Sequence, residues 1–188
     1  MTPHRLWIAR HAPVLLPPGT CYGQLDAPAD PVVSAASAQR LAERLPRGIS
    51  ARHSPLQRCA LLAHQLQALR PDITIAPDER LIEMDFGCWE GLAWAAIART
   101  EIDAWSTRFA DHRPGGGDCL TQMLDRVNAA LQDMRQLQGD TLWISHAGVA
   151  RCVQWLLEEP GRQGQYPTSA QWPLQAPAPG QWACYALT

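Results

Sequence analysis

Three short segments place an arginine or a histidine where an apolar stretch ends. Arg10-His11 follows Leu6-Trp7-Ile8-Ala9, and Ser54-Pro55-Leu56-Gln57-Arg58 follows Ile49 to His53. Ser145-His146-Ala147-Gly148 closes the run from Thr141 to Ser145. Arginine stays charged, and its planar fork grips phosphate with two bonds. The chemistry such a set permits is anion binding beside imidazoles. Taken singly, each segment reads as a strand end or a turn before a helix. Taken together, each puts Arg or His at a strand's end, so all can face one pocket.

The elements that must position them follow from hydrophobic spacing. Leu6 to Ala9 reads as a buried strand, followed by a Pro- and Gly-rich loop from Pro13 to Pro31. Ser34 is the expected N-cap of a helix bearing Ala38, Leu41, Ala42 and Leu45 on one face, stopped by Pro46 and Gly48. Ile49 to His53 reads as a second strand, Leu56 to Leu69 as a helix, and Ile73 to Ile75 as a third strand. Leu81 to Gly91 mixes acids, aromatics and glycines, as functional loops do. Trp94 to Phe109 is expected to be helical. Asp118 is expected to cap a long helix, in which Leu120, Leu124, Val127, Leu131 and Met134 recur at helical steps. Thr141 to Ser145 reads as a fourth strand, and Val149 to Leu157 as a helix closed by Pro160 and Gly161. Trp172 to Leu174 and Trp182 to Leu187 read as two last strands or as an apolar wrap over the core. Strands alternating with helices predict an α/β fold, a three-layer α/β/α sandwich with a mostly parallel central sheet, over one domain from residue 1 to 188. Such sheets bind ligands at the carboxyl ends of their strands.

Composition narrows the field. The chain has 188 residues, 46% hydrophobic and 18% charged, enough apolar surface to offset the entropy of folding. Its formal net charge is −2, which argues against a general nucleic-acid binder. All 16 basic residues are arginine, which reads as a composition bias that still leaves an anion site open. No apolar run reaches the roughly 18–20 residues that span a bilayer, and Met1 to Arg10 is too short and polar for a secretory signal. The expectation is a cytoplasmic protein with no membrane partner. Cys21, Cys59, Cys88, Cys119, Cys152 and Cys184 are scattered without a CxxC pair, so neither a zinc site nor a redox motif is expected. The oligomeric state is left open.

The segments also carry a family resemblance. Leu6 to His11 resembles the signature strand of the histidine phosphatase superfamily, the phosphoglycerate mutase-like enzymes. Ser54-Pro55-Leu56-Gln57-Arg58-Cys59 resembles its SPLxR segment, Leu81 to Gly91 its LxExxFGxWEG segment, and Ser145-His146-Ala147-Gly148 its final SHxG segment. The four blocks stand in family order across residues 6 to 148. Cys21-Tyr22-Gly23-Gln24-Leu25-Asp26-Ala27-Pro28 further resembles bacterial α-ribazole phosphatases, which remove phosphate from α-ribazole 5′-phosphate in cobalamin synthesis.

The resemblance implies a metal-independent phosphomonoesterase acting on a small phosphorylated metabolite, with no cofactor. It puts His11 as nucleophile, Arg10 and Arg58 as phosphate ligands and His146 as donor to a phosphoryl oxygen. It puts Glu83 as the acid that protonates the leaving oxygen, with Asp85 as a nearby competitor. Tyr22 and Gly23 occupy positions that line the family's substrate pocket; Gly23 also reads as a tight turn. Glu90 reads as a turn or salt-bridge residue, His53 and His64 as incidental, and Trp89 and Trp94 as core rather than pocket wall. Two departures bear on the substrate. Ala12 stands where the family has glycine after Arg-His, and Val14 to Pro18 lacks the usual Thr and Asn. Same-fold alternatives are a phosphoglycerate mutase or a broad sugar-phosphate phosphatase. The alternative of another class is a non-catalytic phosphoryl-binding module.

Overall fold

In the computed structural model, which describes residues 4–137, 139–158 and 165–187, the chain alternates between strands and helices. In order these are β1 (His4–Arg10), α1 (Pro31–Arg44), β2 (Ser50–His53), α2 (Gln57–Leu69), β3 (Thr74–Pro77), α3 (Arg99–Thr107), α4 (Leu120–Gln136), β4 (Thr141–Ser145), α5 (Ala147–Glu158) and β5 (Trp182–Leu187). The sheet order is β3-β2-β4-β1-β5; β1 to β4 run parallel and β5 runs antiparallel along β1.

Period-two alternation along the strands divides the core between two faces. Leu6, Ile8 and Trp143 pack with α4 and α5, whereas Ala9, Ala51, Leu142 and Ile144 pack with α1 and α2. This is the expected three-layer sandwich. All five residues of β4 are buried, because neighbours cover it on both faces; its sequence therefore reads as an unbroken run.

Strand register brings the chemistry together. Arg10 pairs with Ser145, and His53 pairs with Ile144, so β1, β2 and β4 end at one edge of the sheet. The next residues, His11, Ser54 and His146, leave the sheet side by side.

Three local expectations are corrected. Asp30, not Ser34, caps α1: its carboxylate accepts from the N–H groups of Val32 and Val33, and Pro31 takes the first helical position. Ser34 is buried inside that helix. Cys119, not Asp118, is the cap residue of α4; its backbone N–H donates to Gln122 Oε1, while Asp118 turns towards the 83–90 loop. The Trp94–Phe109 segment is not one helix. A 3₁₀ turn over Trp94–Ala96 leads through extended Ile97 and Ala98 into α3. Of the two readings of Trp172 to Leu174, strand or apolar wrap, the wrap holds: it crosses the α4–α5 side, where Trp172 packs on the core. Pro160 and Gly161, the expected stop of α5, lie outside the described residues.

Candidate active site

His11 begins where β1 ends and is 1% exposed. Its Nδ1 lies 2.7 Å from the Ala12 carbonyl. A carbonyl only accepts, so Nδ1 carries the hydrogen. Burial, and then the charges of Arg58 and Arg10, push the ring's pKa down to about 3. His11 is therefore a neutral imidazole whose lone pair sits on Nε2.

His146 is fully buried, its ring 5.2 Å from that of His11. Burial, then the charges of Arg58 and its neighbours, hold it neutral as well. Arg58 Nε donates to His146 Nδ1 at 3.3 Å. A guanidinium only donates, so the hydrogen of His146 is on Nε2, 2.8 Å from Ser54 Oγ. The two histidines thus hold opposite tautomers, each set by its neighbour. Cys59 Sγ stands 3.6 Å from His146 Nε2, and burial pushes its thiol up to about 12, leaving it uncharged.

Arg58 is buried at the start of α2. Beyond His146 it donates from Nη1 to Leu25 O (2.8 Å) and from Nη2 to Gly23 O (2.6 Å). These bonds use three of a guanidinium's five N–H groups. Its carbon lies 5.4 Å from the centre of the Tyr22 ring, a cation–π contact, and the same ring meets His11 edge-on. Gly23 is more than a turn: a side chain there would overlap Met84 O and the Glu90 carboxylate. Arg10 reaches from the end of β1 to Pro177 O at 3.2 Å, and its Nε is buried without a partner.

Glu83 comes from the 81–91 loop. Its carboxylate accepts from Met84 N–H (3.0 Å) and from Gly148 N–H (3.1 Å) in the first turn of α5. The other acids of this loop are structural. Asp85 caps Gly87 N–H at 2.7 Å, and Glu90 Oε1 accepts from Gln24 and Phe86 N–H.

A cavity of about 430 Å³ opens here. Arg10, His11, Tyr22, Gly23, Glu83 and Gly148 line it; Arg58 and His146, both fully buried, do not. Phe86, Trp94, Trp105, Phe109 and Trp172 form an aromatic wall. Trp94 is thus a wall residue, against the core expectation, whereas Trp89 is buried beneath the loop as expected. His53 and His64 contact each other away from the cavity.

Sequence reasoning missed two arginines. Arg126 in α4 donates to the carbonyls of Arg80, Ile82 and Glu83 and so clamps the loop. Arg151 lines the cavity one helical turn beyond Gly148. That i, i+3 spacing from the SHxG glycine was the signal available for it.

Among the described residues, no group of three or more His, Cys, Asp or Glu is arranged to hold a metal ion, and no helix is long and apolar enough to cross a membrane.

Paired histidines and arginines at the carboxyl edge of a parallel sheet define a class, and comparison with known proteins agrees. The chain belongs to the histidine phosphatase superfamily (branch 1), whose family model matches residues 6–169. It is 29% identical over 101 residues to a metal-independent phosphoserine phosphatase of Arabidopsis thaliana, covering 50% of this chain and 42% of that protein. It is 30% identical over 126 residues to phosphoglycerate mutase-like protein 4 of the same plant, covering 62% and 54%. The chain thus spans about half the length of these curated relatives. The solved mycobacterial glucosyl-3-phosphoglycerate phosphatase shares the fold, with a TM-score of 0.78 at 22% identity over 96% of this chain and 89% of that one.

Proposed function

We propose that this protein is a phosphomonoesterase working through a phosphohistidine at His11, with α-ribazole 5′-phosphate as its substrate. The observation that carries the chemistry is the tautomer of His11. Burial keeps the ring neutral, and the Ala12 carbonyl holds the hydrogen on Nδ1, so the Nε2 lone pair is free for phosphorus.

In this reading Arg10 and the two remaining N–H groups of Arg58 hold the dianion. Nε2 bonds to phosphorus as the ester P–O bond breaks, and Glu83 gives its proton to the departing alkoxide. Water then attacks the phosphohistidine, Glu83 takes a proton from it, the N–P bond breaks and inorganic phosphate leaves. For His146 to stabilise the phosphoryl oxygens, substrate must draw its Nε2–H from Ser54 Oγ, or share it. The aromatic wall supports the substrate assignment, because a flat apolar ring system stacks on such side chains.

The test is to mix enzyme with 32P-labelled α-ribazole 5′-phosphate and quench in alkali. An acid-labile, alkali-stable phosphoprotein is expected, absent in His11→Ala, whose turnover falls at least about 10³-fold. Undiminished turnover in His11→Ala overturns the chemistry. Phosphate binding without turnover assigns a binding module instead. Equal kcat/KM for 3-phosphoglycerate overturns the substrate.

A further inference from the structure

Glu83 is held through its backbone as well as through its carboxylate. Its C=O and the Met84 N–H belong to one peptide unit. That unit is planar and trans, so the two groups point in opposite directions and turn together. The Met84 N–H is one of the donors to the Glu83 carboxylate, at 3.0 Å. Whatever fixes the Glu83 carbonyl therefore aims the N–H that holds the carboxyl.

Two side chains from distant parts of the chain fix it. Arg126 Nη2 donates to Glu83 O at 3.1 Å from α4, and Gln24 Nε2 donates to the same oxygen at 3.0 Å from the loop after β1. A carbonyl oxygen has two lone pairs, and both are taken. The other hydrogen of the Gln24 amide goes to Asp118 Oδ2 at 3.4 Å, an oxygen that also accepts from the Asp85 N–H. The amide has one workable orientation, because the flipped form would set its oxygen against a carbonyl and a carboxylate.

The main chain around Gln24 is seated just as firmly. Its N–H donates to Glu90 Oε1 at 2.7 Å, and Gly23 packs so close to Met84 O that a Cβ there would overlap it. Gly23 and Leu25, on either side, give their carbonyls to Arg58. One tripeptide thus anchors Arg58 with its backbone and the peptide behind Glu83 with its middle side chain.

We infer that Gln24 is a positioning residue: its amide sets the plane of the 83–84 peptide and, through the Met84 N–H, the place of the carboxyl that protonates the leaving oxygen. The inference rests on the phosphomonoesterase reading, with Glu83 as the acid, and deepens it. Gln24 is the side chain to test, because Arg126 also holds the carbonyls of Arg80 and Ile82, and its loss would loosen the whole loop.

Gln24→Met keeps the length of the side chain and removes the donor. kcat/KM is measured for wild type, Gln24→Met, Glu83→Gln and the double variant. The substrates are benzyl phosphate, whose alkoxide needs a proton, and p-nitrophenyl phosphate, whose phenolate needs little. Gln24→Met is expected to lose about 20-fold on benzyl phosphate and less than about 3-fold on p-nitrophenyl phosphate, because Arg126 alone no longer fixes the peptide plane. In the Glu83→Gln background the same substitution should cost less than about 2-fold on either ester. Inhibition by inorganic phosphate should be unchanged, since the bonds to Arg58 are main-chain ones. Gln24→Asn, whose amide falls a methylene short, should repeat the pattern and decides alone if Gln24→Met does not fold. No loss, equal losses on both esters, or an undiminished loss in the Glu83→Gln background overturns the inference. Weakened phosphate inhibition overturns it in favour of action through Arg58. A Glu83→Gln variant that itself loses equally on both esters overturns instead the acid assignment on which the inference stands.

Discussion

Gly148 shows how much one absent side chain can do. Its N–H holds the Glu83 carboxylate, and a Cβ at this position would overlap Glu83 Oε1 and press on the Met123 methyl. The glycine of the SHxG block is therefore a seat for the loop carboxylate rather than a helix breaker. Gly148→Ala should displace Glu83 and lower kcat/KM, which reports steps only through departure of the alcohol, about 100-fold on an alkyl phosphate, the scale of a lost general acid. The loss on p-nitrophenyl phosphate should be much smaller, because that leaving group departs with little protonation. Equal losses on both substrates would show that Glu83 is not the acid. Arg10, His11, Arg58 and His146 were legible as residues because each sits beside a strand signal. Arg126 and Arg151 were not, because their meaning comes from carbonyls and a cavity supplied by distant segments.

At the scale of elements, the sequence pattern located helices and strands well and their ends less well. The long helix α4 was plain, since Leu120, Leu124, Val127, Leu131 and Met134 form its buried stripe. Its cap was not: Asp118 has the favoured residue type, but its carboxylate faces the backbone N–H of Asp85. The same competition moved the start of α1. Ser34 has a capping residue type, but Asp30, four residues earlier, is the side chain that meets the free N–H groups. Two substitutions separate them. Asp30→Ala should cost about 1 kcal/mol of stability, the usual loss of an N-cap. Ser34→Ala should be neutral or slightly stabilising, because the buried Ser34 hydroxyl has no partner and alanine favours helix. Denaturant midpoints of the two variants measure this, and the reverse order would restore Ser34 as the cap. The split between the Trp94 turn and α3 also escaped the pattern, since Trp94 of the turn and Trp105 of α3 stack on each other and so read as one face.

For the whole molecule, a net charge of −2 hides a cationic cavity built on neutral histidines. That arrangement links the site to global stability. The folded pKa of His11 is held down to about 3, while the unfolded ring titrates near 6.5. Between these values the unfolded chain binds a proton that the native one does not. Stability is thus fully present above about pH 6.5 and falls as pH drops towards 3, by about 1.4 kcal/mol per pH unit for His11. His146 and His53, also held low by burial, add in the same direction. Urea denaturation from pH 7 to 4 should show this slope, and His11→Gln should flatten it by one proton. An unchanged slope in the variant would mean that His11 is not buried as a neutral ring. The α/β class was legible here because strand and helix periods alternate cleanly. The antiparallel placement of β5 was not, because nothing in Trp182 to Leu187 names its neighbour.

That placement has a consequence in time. β1, made before the other strands of its sheet, completes its hydrogen bonding only when β5 arrives, and Gly180 N–H closes on the carbonyls of Arg10 and His11. A nascent chain still inside the ribosome at residue 180 has the corner at Arg10 and His11 open on one side, with Arg10 lacking its Pro177 anchor. Synthesis therefore yields a helix-and-strand scaffold early and a finished site late, and slow, non-local pairing of β1 with β5 sets the moment the site closes.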